Sequence, residues 1–292
     1  MMNKSWLVLC GFSALCLAAE QGFPRISETQ VRTVTAVPRT LAQESDVLKQ
    51  AAWVAEIVPH LSANDTWKSA LYVRSDTQVS ATFIIEFYTP EGALANVDFI
   101  DNDGNRFVAS SYQRVLTGFE LITLELDSAQ GANSVQAFVF AQEGVGFSVE
   151  PIYHRYDGPY KLASVGTKGA YPGKGFILNV EERADLITGQ FNYRAFALTN
   201  TTESWCDCQV ELYDHGAFGA NLEGFLSITD VIPVPPRGKR IYYISDLFDI
   251  DLLPQGIGYV IVYCNRTATM MALTFEENSP AAGSVPVDTL AQ

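Results

Sequence analysis

Ala81-Thr82-Phe83-Ile84-Ile85-Glu86-Phe87-Tyr88 is followed at once by Thr89-Pro90-Glu91-Gly92. Phe83, Ile85 and Phe87 fall at every second position, with Ile84, Glu86 and Tyr88 between them. That period of two puts the first set on one face of a strand and the second on the other. Proline and glycine in the next four residues end the strand in a turn. The same theme extends outward in both directions. Ala70-Leu71-Tyr72-Val73 precedes it, and Val97 to Ile100 leads into Asp101-Asn102-Asp103-Gly104. The Asp-Gly pair between apolar runs marks a tight hairpin. Short runs at Gln113 to Leu116, Glu120 to Leu126, Val135 to Ala141 and Gly146 to Tyr153 follow at the spacing of a sandwich, not of β-α-β units.

Residues 176–276 restate this first theme. Leu71-Tyr72-Val73-Arg74-Ser75-Asp76 matches Phe196-Ala197-Leu198-Thr199-Asn200-Thr201. Ala81, Phe83, Ile85 and Phe87 match Cys206, Cys208, Val210 and Leu212, with Glu86 against Glu211 and Tyr88 against Tyr213. Further on, Ala137 to Phe140 match Gly258 to Ile261, and Ser148-Val149 match Thr269-Met270. A slip of one residue would turn every side chain to the wrong face, so agreement in register carries weight. The expectation is an all-β chain of two tandem antiparallel β-sandwich domains related by internal duplication, at 51–157 and 176–277. A turn-rich linker at 158–175 joins them, and a mobile tail follows at 278–292.

This order resembles tandem immunoglobulin-like or fibronectin-like β-sandwich modules of bacterial secreted and cell-surface proteins. The likeness is carried by Leu71 to Thr77 and Phe196 to Glu203, each a strand ending in a polar turn, and by the alternating strands that follow. The Cys…Trp…Cys spacing of true immunoglobulin domains is absent. The resemblance implies a sandwich fold and leaves function open, because sandwiches host adhesion, sugar binding, scaffolding and hydrolysis alike.

Residues 1–19 read as a secretory signal: Lys4, then an apolar run from Trp6 to Leu17, then small residues. The run is too short to cross a bilayer. Leu9 and Leu15, standing before Cys10 and Cys16, disfavour a lipoprotein reading. A secreted, periplasmic or cell-surface location follows. Residues 20–50 form a polar arm in which Val31 to Val37 is rich in β-branched residues, a segment suited to self-assembly by strand donation. The formal net charge of −14 argues against nucleic acid as a partner. Other surface proteins or glycans are the partners left, and nothing in the sequence spans a membrane.

Chemistry is thin. Beyond the signal stand Cys206, Cys208 and Cys264, so an oxidising compartment gives one disulfide and one leftover thiol. Cys206 and Cys208 share a strand face and either one is able to meet Cys264. Asp98, Asp101 and Asp103 offer an irregular calcium site, loosely held calcium being the one cofactor the sequence suggests. A plain hairpin tip explains the same acids. Gly169 to Lys174 and Gly146 to Glu150 fall short of a phosphate loop and of a nucleophile elbow. His60, His154 and His215 have no partner in sequence and read as ordinary surface histidines. Asn64, Asn200 and Asn265 begin glycosylation sequons. Tyr72, Tyr88 and Tyr213 are the candidate sugar platform, against the plain alternative that strands favour tyrosine. The leading expectation is an exported non-enzymatic protein with a structural or interaction role. A pair of carbohydrate-binding modules is the first alternative, and a hydrolase with dispersed acids the second.

Overall fold

A computed structural model describes residues 53–187, 189–215, 224–277 and 282–290. The signal and arm, 1–50, lie outside the described residues. The fold is all-β. Ten strands make the first sandwich: β1 (Trp53–Ser62), β2 (Trp67–Ser75), β3 (Ala81–Tyr88), β4 (Val97–Asp101), β5 (Arg106–Ala109), β6 (Ser111–Leu116), β7 (Leu121–Ala129), β8 (Ser134–Gln142), β9 (Phe147–Asp157) and β10 (Tyr160–Gly166). One sheet runs β1-β8-β3-β6 and the other β10-β9-β2-β7-β4-β5, all antiparallel. Phe83, Ile85 and Phe87 from the first sheet and Leu71, Val73 and Leu124 from the second fill the core between them. The period-two reading of β3 therefore holds, with Ile84, Glu86 and Tyr88 on the outer face.

Nine strands make the second sandwich: β11 (Gly173–Glu181), β12 (Asn192–Asn200), β13 (Cys206–Asp214), β14 (Phe225–Ile228), β15 (Ile232–Val234), β16 (Lys239–Tyr243), β17 (Ile257–Glu276), β18 (Ala282–Val285) and β19 (Val287–Thr289). A one-turn helix, α1 (Ile244–Leu247), follows β16. The 20-residue β17 serves both layers. Up to Cys264 it lies between β11 and β13, and from Ala268 it lies between β12 and β18. A strand that changes sheet at a corner needs no turn there.

Part of the pairing order recurs between the two sandwiches, while β4 and β5 of the first and β19 of the second have no counterpart. β1-β8-β3-β6 corresponds to β11-β17-β13 with β14 and β15, and β10-β9-β2-β7 corresponds to β18-β17-β12-β16. The register corrects one sequence match. Ile85 faces Val139 and Val210 faces Val262, so Val139 corresponds to Val262, two residues beyond the expected Val260. Arg74 faces Ser148 and Thr199 faces Thr269, as the sequence match has it. The difference lies in the connection. The first sandwich spends extra residues on the β8–β9 turn, where β17 runs straight through. A shift of two preserves the face, which is why the pattern alone did not show it.

Two expected irregular stretches contain strands. Within 158–175, Gly158-Pro159 makes the hairpin turn between Asp157 of β9 and Tyr160 of β10, with Gly158 at φ +53°. Within 278–292, β18 pairs with β17 and β19 pairs with β11, and Val285 enters the core. The exposed backbone edges of β17 and β11 explain why a sequence poor in apolar mass is ordered there. Among the described residues no helix is long and apolar enough to cross a membrane.

Candidate functional site

The outer face of β12, β16 and the second half of β17 packs against β1, β2 and β9 of the first sandwich. Tyr153, Ala197 and Met271 are buried together, with Trp67, Val165 and Leu273 around them. The turn Val234-Pro235-Pro236-Arg237-Gly238-Lys239 fastens this seam from one side. Its Arg237 lies at φ +51° and donates from Nη1 to the Tyr88 hydroxyl at 2.8 Å. The guanidinium sits 5.3 Å from the Tyr88 ring centre and 5.7 Å from that of Phe138, and 3.7 Å from the carboxylate of Glu86. Tyr88 in turn donates to Glu86 at 2.5 Å. Gln136 donates to the carbonyls of both Thr89 and Arg237, and the Lys239 amide donates to Pro90. The turn Thr89 to Gly92 meets Pro236 so closely that a β-carbon on Gly92, which sits at φ +86°, would fall 1.8 Å from the Pro236 carbonyl oxygen.

Lys239 is the unexpected residue. It is 1% exposed, and its Nζ donates to the Val135 carbonyl at 2.8 Å and stands 3.3 Å from His60 Nδ1. Burial holds the Lys239 amine well below its ordinary pKa. Burial, and then the Lys239 charge, hold His60 well below 6.5. The other imidazole nitrogen, Nε2, is 2.9 Å from Ser62 Oγ. Tyr153 reaches the His60 carbonyl with its hydroxyl, which lies 3.4 Å from Met271 Sδ, and burial raises its pKa. Beside this chain of polar groups opens a cleft of about 270 Å³ lined from both sandwiches. Trp67, Phe275 and Tyr243 form its aromatic wall, with ring centres 6.3 and 6.2 Å apart in sequence.

His60 is thus no ordinary surface histidine. From β1 it meets Lys239 of β16, a contact that the sequence did not disclose because the two lie 179 residues apart. The only local clue was the proline- and glycine-rich turn before Lys239. His154 meets Ser164 Oγ at 2.8 Å, and His215 is exposed.

The tyrosines named for a sugar platform do not assemble. Tyr72 lies on β2 and Tyr88 on β3, in opposite sheets with both side chains outward. Tyr88 is covered by Arg237 and is 4% exposed. Tyr213 lies on the other sandwich, stacked on Tyr259 at 5.0 Å, 4% exposed, and hydrogen-bonded to Glu211 at 2.7 Å. The three acids named for calcium each serve a different partner. Asp98 takes both prongs of Arg106 at 2.7 and 2.5 Å. Asp101 accepts from the Asp103 and Asn105 amides and from Tyr112. Asp103 pairs with Arg114 at 2.7 Å. Gly104 at φ +80° makes the turn, so these residues build a hairpin tip.

Cys208 and Cys264 face each other across β13 and β17 and form a disulfide, while Cys206 is a buried free thiol with its Sγ 3.6 Å from that of Cys208. Among the described residues these three are the only acid, histidine or cysteine group close enough to share a metal ion. The disulfide uses two of the three sulfurs, and burial raises the pKa of the third.

No protein-family model matches the chain, and no curated protein or solved structure matches it.

Proposed function

We propose that this is an exported, non-enzymatic protein with a structural or interaction role at the cell surface or outside the cell, working as one stiff unit of two sandwiches. The duplication expected from the sequence, and the resemblance to bacterial surface modules, belong to the same proposal. The observation that carries it is the seam. Arg237, Lys239 and Gln136 tie β-sandwich to β-sandwich through buried polar contacts, so the tandem resists bending where a plain linker would flex. Stiff presentation of distant surfaces is what a structural or adhesive protein requires.

A hydrolase is the second reading, and Ser62 beside His60 is the observation that favours it. The environment of His60 argues the other way. A general base works best with a pKa near the ambient pH, and this imidazole is held well below it. An amine rather than a carboxylate stands behind it, so no group stabilises an imidazolium. The Ser62 amide is also spent on Ser69 Oγ at 2.8 Å. The test is turnover of ester, glycoside and peptide panels by the full chain and by Ser62→Ala. No turnover in either agrees with the proposal. Turnover lost in Ser62→Ala overturns it in favour of the hydrolase.

A further inference from the structure

We propose that the seam cleft is a binding site for a neutral aromatic molecule of one or two rings carrying a single hydroxyl or amide head. The cleft lining is part polar and mostly apolar. His60, Ser62, Asn64, Asn133 and Ser134 supply the polar side chains, and Ala197, Met271 and Leu273 stand with the rings of Trp67, Tyr243 and Phe275 as the apolar ones. At about 270 Å³ it is a little under the usual range for drug-sized ligands, which begins at roughly 300 Å³. A fused two-ring compound therefore fits and a long chain does not.

Charge selects next. In a chain of net charge −14, no Asp, Glu, Lys or Arg side chain lines the cleft. Lys239 stands behind His60 and spends its amine on Val135. Arg155 lies over the Trp67 ring at 5.9 Å but is not part of the lining, so a carboxylate ligand would lose its water without a cation in the cleft, and the neutral form is preferred.

Hydroxyl number selects last. Ser62 is 8% exposed and its Oγ meets His60 Nε2 at 2.9 Å; a hydroxyl has three hydrogen-bonding positions, so capacity remains for a head group. Asn64 spends its side chain on the Thr66 and Trp67 amides and the Asn133 carbonyl, which leaves Asn133 and Ser134 beside Ser62, so a pyranoside would press most of its further hydroxyls against alanine, methionine and leucine. Each one left unpaired costs on the order of tenfold or more in affinity. The aromatic wall alone suits a sugar, and the rest of the apolar lining decides against it.

Both sandwiches contribute lining residues, so the ligand would also bridge the seam. The site needs the sandwiches docked, but it does not depend on the structural role proposed above.

The test is calorimetry and saturation-transfer NMR on the full chain with 2-naphthol, 2-naphthoate and methyl β-D-glucopyranoside. Expected is saturable binding of 2-naphthol, about tenfold or more tighter than 2-naphthoate, with no measurable binding of the glucoside. Ile241→Glu places a charge in the lining at a side chain that is 43% exposed, where folding tolerates it. It should weaken 2-naphthol about tenfold or more, and Ser62→Ala should weaken it several-fold. Absence of saturable 2-naphthol binding overturns the proposal, as does binding that Ile241→Glu leaves unchanged. Tighter binding of the glucoside also overturns it and reassigns the cleft to sugars. A failure here with the seam still rigid by distance measurement leaves the structural reading standing.

Discussion

Replacing Arg237 with alanine removes the seam's central side chain while leaving its backbone penalty alone, since alanine and arginine are equally disfavoured at φ +51°. Three contributions are lost. The pair with Glu203, whose side chain is 74% exposed, is worth about 0–1 kcal/mol. The two ring contacts, with Tyr88 and Phe138, together supply about 1–2 kcal/mol. The third is the charge left on Glu86, which is 3% exposed. Stripping one partner from a fully buried pair costs about 3–5 kcal/mol. Here the separation is 3.7 Å, the guanidinium is a quarter exposed and Tyr88 still donates to Glu86, so about 1–2 kcal/mol is appropriate. The sum is about 2–5 kcal/mol, read as the loss of unfolding free energy in urea near neutral pH. Glu86→Gln in the Arg237→Ala background should recover about 1 kcal/mol, because the orphaned charge is gone. A loss below about 1 kcal/mol, or a cycle with no coupling between the two positions, would refute the reasoning.

Four further outcomes follow from the same contacts. Glu56 is pushed up to about 6, mainly by burial, then by Asp76 against a Val149 backbone bond. Stability is therefore lost as pH rises from 4.5 through about 6, and Glu56→Gln should gain about 1 kcal/mol near neutral pH and nothing at pH 4, after discounting for partial exposure. Equal pH profiles in urea titrations would contradict this. Lys239 has a native pKa below its unfolded value, so the unfolded chain binds more protons and stability falls as pH drops between the two. Lys239→Met should remove that slope, about 1.4 kcal/mol per pH unit, and parallel profiles for the two proteins would sink the idea. Gly92→Ala meets both a positive φ and the Pro236 carbonyl; it should leave far-UV circular dichroism sandwich-like while raising protease sensitivity at the seam, and unchanged sensitivity counts against the docking described. Opening the Cys208–Cys264 link, 56 residues apart in sequence, with Cys264→Ala should cost about 4 kcal/mol by loop entropy; a midpoint shift corresponding to less than half of that would mean the unfolded chain is already compact.

The alternation in Ala81 to Tyr88 was enough to place β3 and assign its two faces, because a half-covered strand writes its environment every second residue. Glu86-x-Tyr88 and Glu211-x-Tyr213, matched with each other in the sequence, each make a tyrosine-to-glutamate hydrogen bond. Gly158-Pro159 turns a hairpin, yet the nearby prolines and glycines led to a linker assignment for 158–175. The site was legible only in fragments. Lys239 and His60 lie 179 positions apart, and a charged residue on a strand normally faces water. Nothing local distinguishes a lysine that supports a seam from one that is solvated. Tyr88 failed as a platform for the same reason, since the outer face of β3 is covered by a turn from the other sandwich.

The central claim is that the two sandwiches keep one fixed arrangement, and pulsed electron–electron resonance between spin labels at Val115 and Ile228, both exposed and one on each sandwich, addresses it directly. A single narrow distance distribution in the parent chain, broadened by Gly92→Ala, is the predicted result. A distribution already broad in the parent chain would contradict it.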